Sequence, residues 1–268
     1  MDSHSGDRIL VKSPEETVRL RAACRVVAEV LAELAALVAP GVTTLQLDQA
    51  AEAGARRRGA EPAFKGYHGF PASLCASVNE EVVHGIPSAT RVLRQGDIIG
   101  LDFGVVLDGF YGDAAVTVPV GAVSEEARRL LEVTRAALAA AIGEAWPDRR
   151  VGDLGAAVQR SVEPLGFAVV RDFVGHGIGR RLHEPPQIPN FGTPGTGPRL
   201  RAGMALAIEP MVNLGGFEVD TRDDGWTAFT VDGRLSAHFE HTVLVTENGP
   251  EILTLPPSAS SGATEVAR

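Results

Sequence analysis

The segment Ile98–Pro119 constrains the fold more than any other part of this 268-residue chain. Two apolar runs flank Asp108-Gly109, a dipeptide suited to the two left-handed positions of a tight hairpin turn. With those residues as the turn, Leu107 pairs with Phe110, Gly104 faces Asp113, and Asp102 lies diagonally beside Asp113. Side chains alternate along a strand, so Asp102, Gly104, Tyr111 and Asp113 share one face. The turn accounts for Asp108. Asp102 and Asp113 are harder to place, because their neighbours Ile98, Ile99, Leu101, Val105 and Val106 are apolar. Two adjacent carboxylates in such a setting repel unless one is protonated or a cation lies between them. The plainer reading, a solvated edge, serves for either residue alone but poorly for the pair.

Two glutamates repeat the anomaly. Glu209 closes the apolar run Met204–Ile208, and Glu240 interrupts Ala237–Val245, where a glutamate is unfavourable. A single buried Glu can be satisfied by an arginine, whereas two beside two aspartates point to a shared cation site. His176 stands among glycines in Gly175-His-Gly-Ile-Gly179, which allow close backbone approach. His183 and His84 are two further candidates. Four carboxylates and one imidazole suit Mn, Fe, Co or Zn, and four negative charges balance two divalent ions. Two ions at ~3.5–4 Å can share and acidify a water and polarise a carbonyl. No HExxH, GxSxG or Walker pattern competes, and the glycines around His176 lack a P-loop lysine.

The rest of the chain reads as α/β. Ser13-Pro-Glu-Glu16 opens a helix with a capping box, and Pro40-Gly41 ends it. A second helix is expected from Thr43 or Thr44 to Arg58, with Gly59 after it. Strands follow in Ser73–His84 and Ile98–Pro119. A helix then runs from Ser124 to near Trp146-Pro147, and a shorter one spans Val151–Val162. Strands are expected again in Phe167–Val174, Met204–Ile208 and Ala237–Thr246. Each half thus runs long helix, Pro-containing turn, short helix, strands. This order suggests an internal duplication, although the identity between the halves is too low to decide it. Residues 1–8 are expected to be flexible, 9–254 to form one domain, and 255–268, rich in Pro, Ser, Ala and Gly, to be disordered.

Composition bears mainly on partners. The formal charge is −9, and the basic clusters, such as Arg56-Arg57-Arg58, are short, so nucleic-acid binding finds no support. The arginine triplet falls at a helix end, where cations offset the dipole. The two cysteines, Cys24 and Cys75, allow no disulfide framework. No run approaches the ~18 apolar residues of a membrane span, and Met1–Arg8 does not resemble a secretory signal. The default compartment is the cytoplasm.

Several stretches together carry a family resemblance. They are Gly66-Tyr-His-Gly-Phe-Pro71, Ser77-Val-Asn-Glu-Glu-Val-Val-His-Gly-Ile-Pro87, Leu101-Asp-Phe-Gly104, Asp108-Gly-Phe-Tyr-Gly-Asp113, Gly175–Gly179, Ile208-Glu-Pro-Met211 and Phe239-Glu-His-Thr242. Over residues 8–254 the chain closely resembles type I methionine aminopeptidases, in their bacterial form. The resemblance implies the pita-bread fold, two pseudo-twofold αβ halves around a curved antiparallel sheet. It implies two metal ions, bridged by Asp113 and Glu240, with Asp102 on one and His176 and Glu209 on the other. It further implies that a metal-bridging hydroxide attacks the first peptide bond and releases the initiator methionine from new polypeptides. Glu209 would shuttle the proton, His84 and His183 would contact the scissile amide and the tetrahedral intermediate, and Tyr67, Phe70, Cys75 and Trp226 would surround the methionine side chain. For Trp226 simple packing is the competing reading. A monomer that meets emerging chains near the ribosome is the expected form.

The chain departs from the family at Leu182 (often Phe), Gly104 (often Thr), His238 (often Gln) and Ala114-Ala115 (often Thr first). These bear on metal preference and specificity and remove no ligand. The nearest rival, an Xaa-Pro aminopeptidase or prolidase, shares the ligands but usually carries a further N-terminal domain. A non-catalytic binding module on the same fold would be expected to have lost ligands.

Overall fold

The computed structural model describes residues 9–256. The expected flexible segment 1–8, and all but the first two residues of the expected disordered tail, lie outside the described residues.

Among the described residues there are four α-helices, and side-chain caps mark the start of the first three. Helix α1 spans Pro14–Leu37, and its capping box is complete: Ser13 Oγ accepts the Glu16 N–H, and Glu16 accepts the Ser13 N–H. Its buried residues Leu20, Cys24, Val27, Leu31 and Leu34 recur every three or four positions and make one apolar stripe. Helix α2 spans Thr44–Arg57, capped by Thr43 and Gln46, and Gly59 follows at φ +73°. The arginines at its end pair with Glu52, Glu33 and Glu29, so that basic cluster is engaged within the molecule. Helices α3 (Glu125–Gly143) and α4 (Val151–Val162) complete the set.

The main sheet has nine antiparallel strands. At its centre is the hairpin Ile98–Leu107 and Phe110–Pro119, in the register the turn predicts: Leu107 opposite Phe110, and Gly104 opposite Asp113. Asp108 and Gly109 have φ +49° and +75°, the left-handed pair such a turn requires. Beyond Phe110–Pro119 come Glu240–Thr246, Ala205–Ile208, Gly175–Gly177 and the edge strand Glu184–Ile188. Cys75–Val78 and Glu61–Pro62 flank the first hairpin strand.

The expected two halves are visible in the core. One cluster joins Val27, Leu31 and Leu34 of α1 and Leu47 of α2 to Leu74, Ile99, Leu101 and Phe103. Another joins Leu130 and Leu138 of α3 and Leu154 and Val158 of α4 to Leu206, Ile208, Val243 and Val245. Each helix pair therefore covers the strands of its own half, which is the pita-bread arrangement. Burial of this kind makes single deletions costly: Leu34→Ala removes a side chain whose loss typically costs about 2–5 kcal/mol.

Two expected strands are shorter than the sequence suggests. In place of one strand over Phe167–Val174 there is Ala168–Val169, a bend at Arg171-Asp172, then Gly175–Gly177. Ala237–Thr246 is broken at Phe239: Ser236–His238 pairs with Met211–Asn213 in a small second sheet, while Glu240 onward joins the main one. Both breaks occur where the chain passes from the small sheet to the large one, a tertiary event that local alternation does not encode. No helix among the described residues is long and apolar enough to cross a membrane.

Candidate metal centre

Five consecutive strands of the main sheet each deliver one of the expected ligands. Asp102 lies on Ile98–Leu107, Asp113 on Phe110–Pro119, Glu240 on Glu240–Thr246, Glu209 immediately after Ala205–Ile208, and His176 on Gly175–Gly177. Pairing holds them level, with Gly104 opposite Asp113, Glu240 opposite Ala115, and His176 opposite Ala207. Pro210 lacks an N–H and ends the ladder next to Glu209. Thr242 fixes the Asp113 backbone, donating through Oγ1 to its carbonyl at 2.7 Å.

Ligand atoms of Asp113, His176 and Glu240 lie within 4.8 Å of one another. His176 Nε2 is 3.7 Å from Glu209 Oε1 and 4.0 Å from Asp113 Oδ2. Asp102 Oδ1, Asp113 Oδ1 and Glu240 Oε1 are buried without any hydrogen-bond partner. Such orphaned oxygens are costly unless a cation satisfies them. The donor set therefore fits divalent metal.

The electrostatics agree. Burial pushes Asp102 up to about 7 and Glu209 up to about 8. Asp113 and Glu240 are raised well above the ordinary carboxylate range, by burial first and then by their acidic neighbours. Burial lowers His176 to about 3, so its ring is neutral and able to ligate. Its Nδ1 lies 2.9 Å from the Gly177 carbonyl, a contact that puts the proton on Nδ1 and leaves Nε2 facing the carboxylates.

The same residues form the floor of a cavity of about 360 Å³, and every expected site residue lines it: Asp102, Asp113, His176, Glu209, Glu240, His84, His183, Tyr67, Phe70, Cys75 and Trp226. Phe70 and Trp226 meet edge to face at 5.2 Å between ring centres. Tyr67 Oη is 2.7 Å from His183 Nδ1. Burial raises the Tyr67 hydroxyl's pKa, and in the tautomer where this hydroxyl donates to Nδ1 the His183 Nε2–H is left free. His84 has φ +60°, its ring stands edge-on to Phe173 at 5.4 Å, and burial lowers it to about 4.

Sequence reasoning missed Phe64, His68, Val83, Asp172, Phe173 and Val174 in the lining. Most come from loops or chain bends, where no periodicity marks a facing direction. The departures do find places here. A Cβ on Gly104 would stand 2.7 Å from Phe64 Cε1, so glycine leaves room for that wall. His238 Nε2 is buried, without a hydrogen-bond partner, 3.4 Å from Glu209 Oε2. Leu182 is buried and lines the cavity.

Fold and site together define a metallopeptidase: residues 18–247 match metallopeptidase family M24, and the chain belongs to that family. Its chemistry therefore depends on divalent metal. The chain is 53% identical over 247 residues to a methionine aminopeptidase of Clostridium perfringens, covering 92% of this chain and 99% of that one. It is 52% identical over 246 residues to methionine aminopeptidase 1 of Bacillus subtilis, with the same coverage. The crystal structure of methionine aminopeptidase from Thermotoga maritima superposes with a TM-score of 0.91 at 50% identity, covering 92% of this chain and all of that one. The prolidase from Pyrococcus furiosus, at 22% identity and a TM-score of 0.75, shares the fold.

Proposed function

We propose that this chain is a methionine aminopeptidase, which removes the N-terminal methionine from polypeptides by hydrolysing the first peptide bond. The observation that carries the reading is the floor of four carboxylates and one imidazole beneath a cavity, in a chain about half identical over nearly its whole length to proteins named for that activity.

Asp102, Asp113, His176, Glu209 and Glu240 would hold the divalent metal, two ions in this reading. Bound there, Co, Mn, Fe or Zn would supply a water acidic enough to react at neutral pH and a Lewis acid for the carbonyl oxygen. The protein's own groups do the rest. Tyr67, Phe70, Cys75 and Trp226 enclose the unbranched thioether, which suits a narrow apolar pocket. The free α-amino group lies toward the carboxylate floor. His183 donates its Nε2–H to the carbonyl oxygen as charge develops there, and His84 contacts the scissile amide. Glu209 takes a proton from the water and passes it to the leaving nitrogen as the C–N bond breaks. Residues 9–254 act as one catalytic domain. The setting this reading implies is a cytoplasmic monomer that meets its substrates as they leave the ribosome.

The test is hydrolysis by metal-stripped protein, with and without added Co or Mn. Met-Ala-Ser should release free Met only with metal. N-acetyl-Met-Ala-Ser should be inert. Release of Ala from Ala-Pro-Ser would move the chain to the prolidase side, and no hydrolysis by folded, metal-loaded protein would leave a binding module.

A further inference from the structure

Among the described residues only one Lys or Arg ion pair has both side chains buried. Lys12 Nζ lies 2.6 Å from Glu184 Oε2, and the two side chains are 3% and 1% exposed. Neither residue lines the catalytic cavity. Burying such a pair is a weak route to stability, because desolvation offsets much of the attraction. Its geometry points instead to placement. Glu184 Oε1 accepts the backbone N–H groups of Arg180 at 2.7 Å and Arg181 at 3.1 Å, so one carboxylate closes the turn that precedes it. The Lys12 backbone N–H donates to the Gly203 carbonyl at 2.7 Å, which anchors the lysine to the turn before strand Ala205–Ile208. A Cβ on Gly179 would stand 2.2 Å from Lys12 Cε, so the turn and the lysine stem are in close contact. Two further ties hold the same turn: Tyr111 N–H donates to the Gly179 carbonyl at 2.8 Å, and Arg180 Nε donates to Glu16 of α1 at 2.6 Å.

The next residues along that turn are Leu182 and His183, both in the cavity wall. We propose that Lys12 is a positioning residue for His183: the Lys12–Glu184 pair sets the Gly179–Glu184 turn so that the imidazole meets Tyr67 Oη and faces the scissile carbonyl. The segment just before α1 is thereby part of the active-site architecture, although it touches no substrate. The inference rests on the role given to His183 above.

The experiment compares wild type, Lys12→Met, His183→Ala and the double variant, in peptide hydrolysis and in Mn binding. Lys12→Met should bind Mn as wild type does, change KM little, and lose about 10- to 100-fold in kcat, the scale of a misplacement near 1 Å. Added to His183→Ala it should cost nothing more, because it acts through that residue. A readout independent of activity is the 15N spectrum of labelled histidines. The His183 Nδ1 signal, assigned with His183→Ala, should move in Lys12→Met while that of His176 stays. If Lys12→Met does not fold, Glu184→Asp keeps both charges, shortens the arm by one methylene and should show the same pattern. Wild-type kcat in either folded variant, or a further loss on the His183→Ala background, overturns the proposal. Full activity of His183→Ala would instead remove the functional reading of His183, and this inference with it.

Discussion

His84 holds a left-handed backbone, φ +60°, that a side-chain-bearing residue adopts only at a cost of about 1–3 kcal/mol. The following Gly85 approaches Ala76 so closely that a Cβ there would meet its carbonyl oxygen at 2.4 Å. The strand end is thus forced into a shape that favours glycine, yet it carries an imidazole aimed into the cavity. Strain of this kind at a reactive group fits a catalytic contact. His84→Ala and His84→Gly should both keep metal and lose about 10²- to 10⁴-fold in kcat. His84→Gly should melt higher than His84→Ala, because glycine relieves the backbone. Thermal unfolding beside kinetics checks both halves, and undiminished activity in either variant would remove His84 from the mechanism.

Among the elements, the Ile98–Pro119 hairpin contributes most to the site, since its register places Asp102 diagonal to Asp113. A one-residue slip between its two strands would put these carboxylates on opposite faces of the sheet. Gly109→Ala puts a Cβ on a residue at φ +75° and should cost about 1–2 kcal/mol. It should lower the melting temperature while leaving Mn affinity unchanged in the folded fraction. Weakened Mn binding in fully folded protein would mean that the turn, and not only the strand pairing, sets the ligand geometry. This hairpin was also the most legible part of the sequence, because Asp108-Gly109 is a local signal with a single register. The capping box at Ser13 and the helix start at Ser124 were legible for the same reason, and the start of the second helix was legible to within one residue, Thr43 or Thr44. The four acidic site candidates stood out because carboxylates are anomalous in apolar strands. The break at Phe239, where the chain changes sheets, was not legible. Nor were walls such as Phe64 and Phe173, or the partnership of Lys12 with Glu184, which lie 172 residues apart. Such features arise from contacts distant in sequence and leave no periodic trace.

At the scale of the whole molecule, the clustered carboxylates make stability depend on metal and pH together. Without metal, Asp102 and Glu209 titrate near 7 and 8, well above unfolded carboxyls at about 4. The folded state therefore holds more protons than the unfolded state in this range, and rising pH favours unfolding until the folded values are passed. His84 and His176, lowered to about 4 and about 3, act in the opposite sense, but only up to their unfolded value near 6.5. Above pH ~7 the carboxyls dominate. Metal-free protein should lose melting temperature from pH 7 to pH 8, and Mn should raise it more at pH 8 than at pH 6.5. A melting temperature that rises over that interval without metal would contradict the buried-carboxylate account.

The central claim is that five strands converge on a two-metal floor. Anomalous diffraction from crystals soaked in Mn tests it most directly. The account predicts two peaks about 3.5–4 Å apart, both touching Asp113 and Glu240, one also touching Asp102 and the other His176 and Glu209. A single peak, or ions ligated elsewhere, would contradict it.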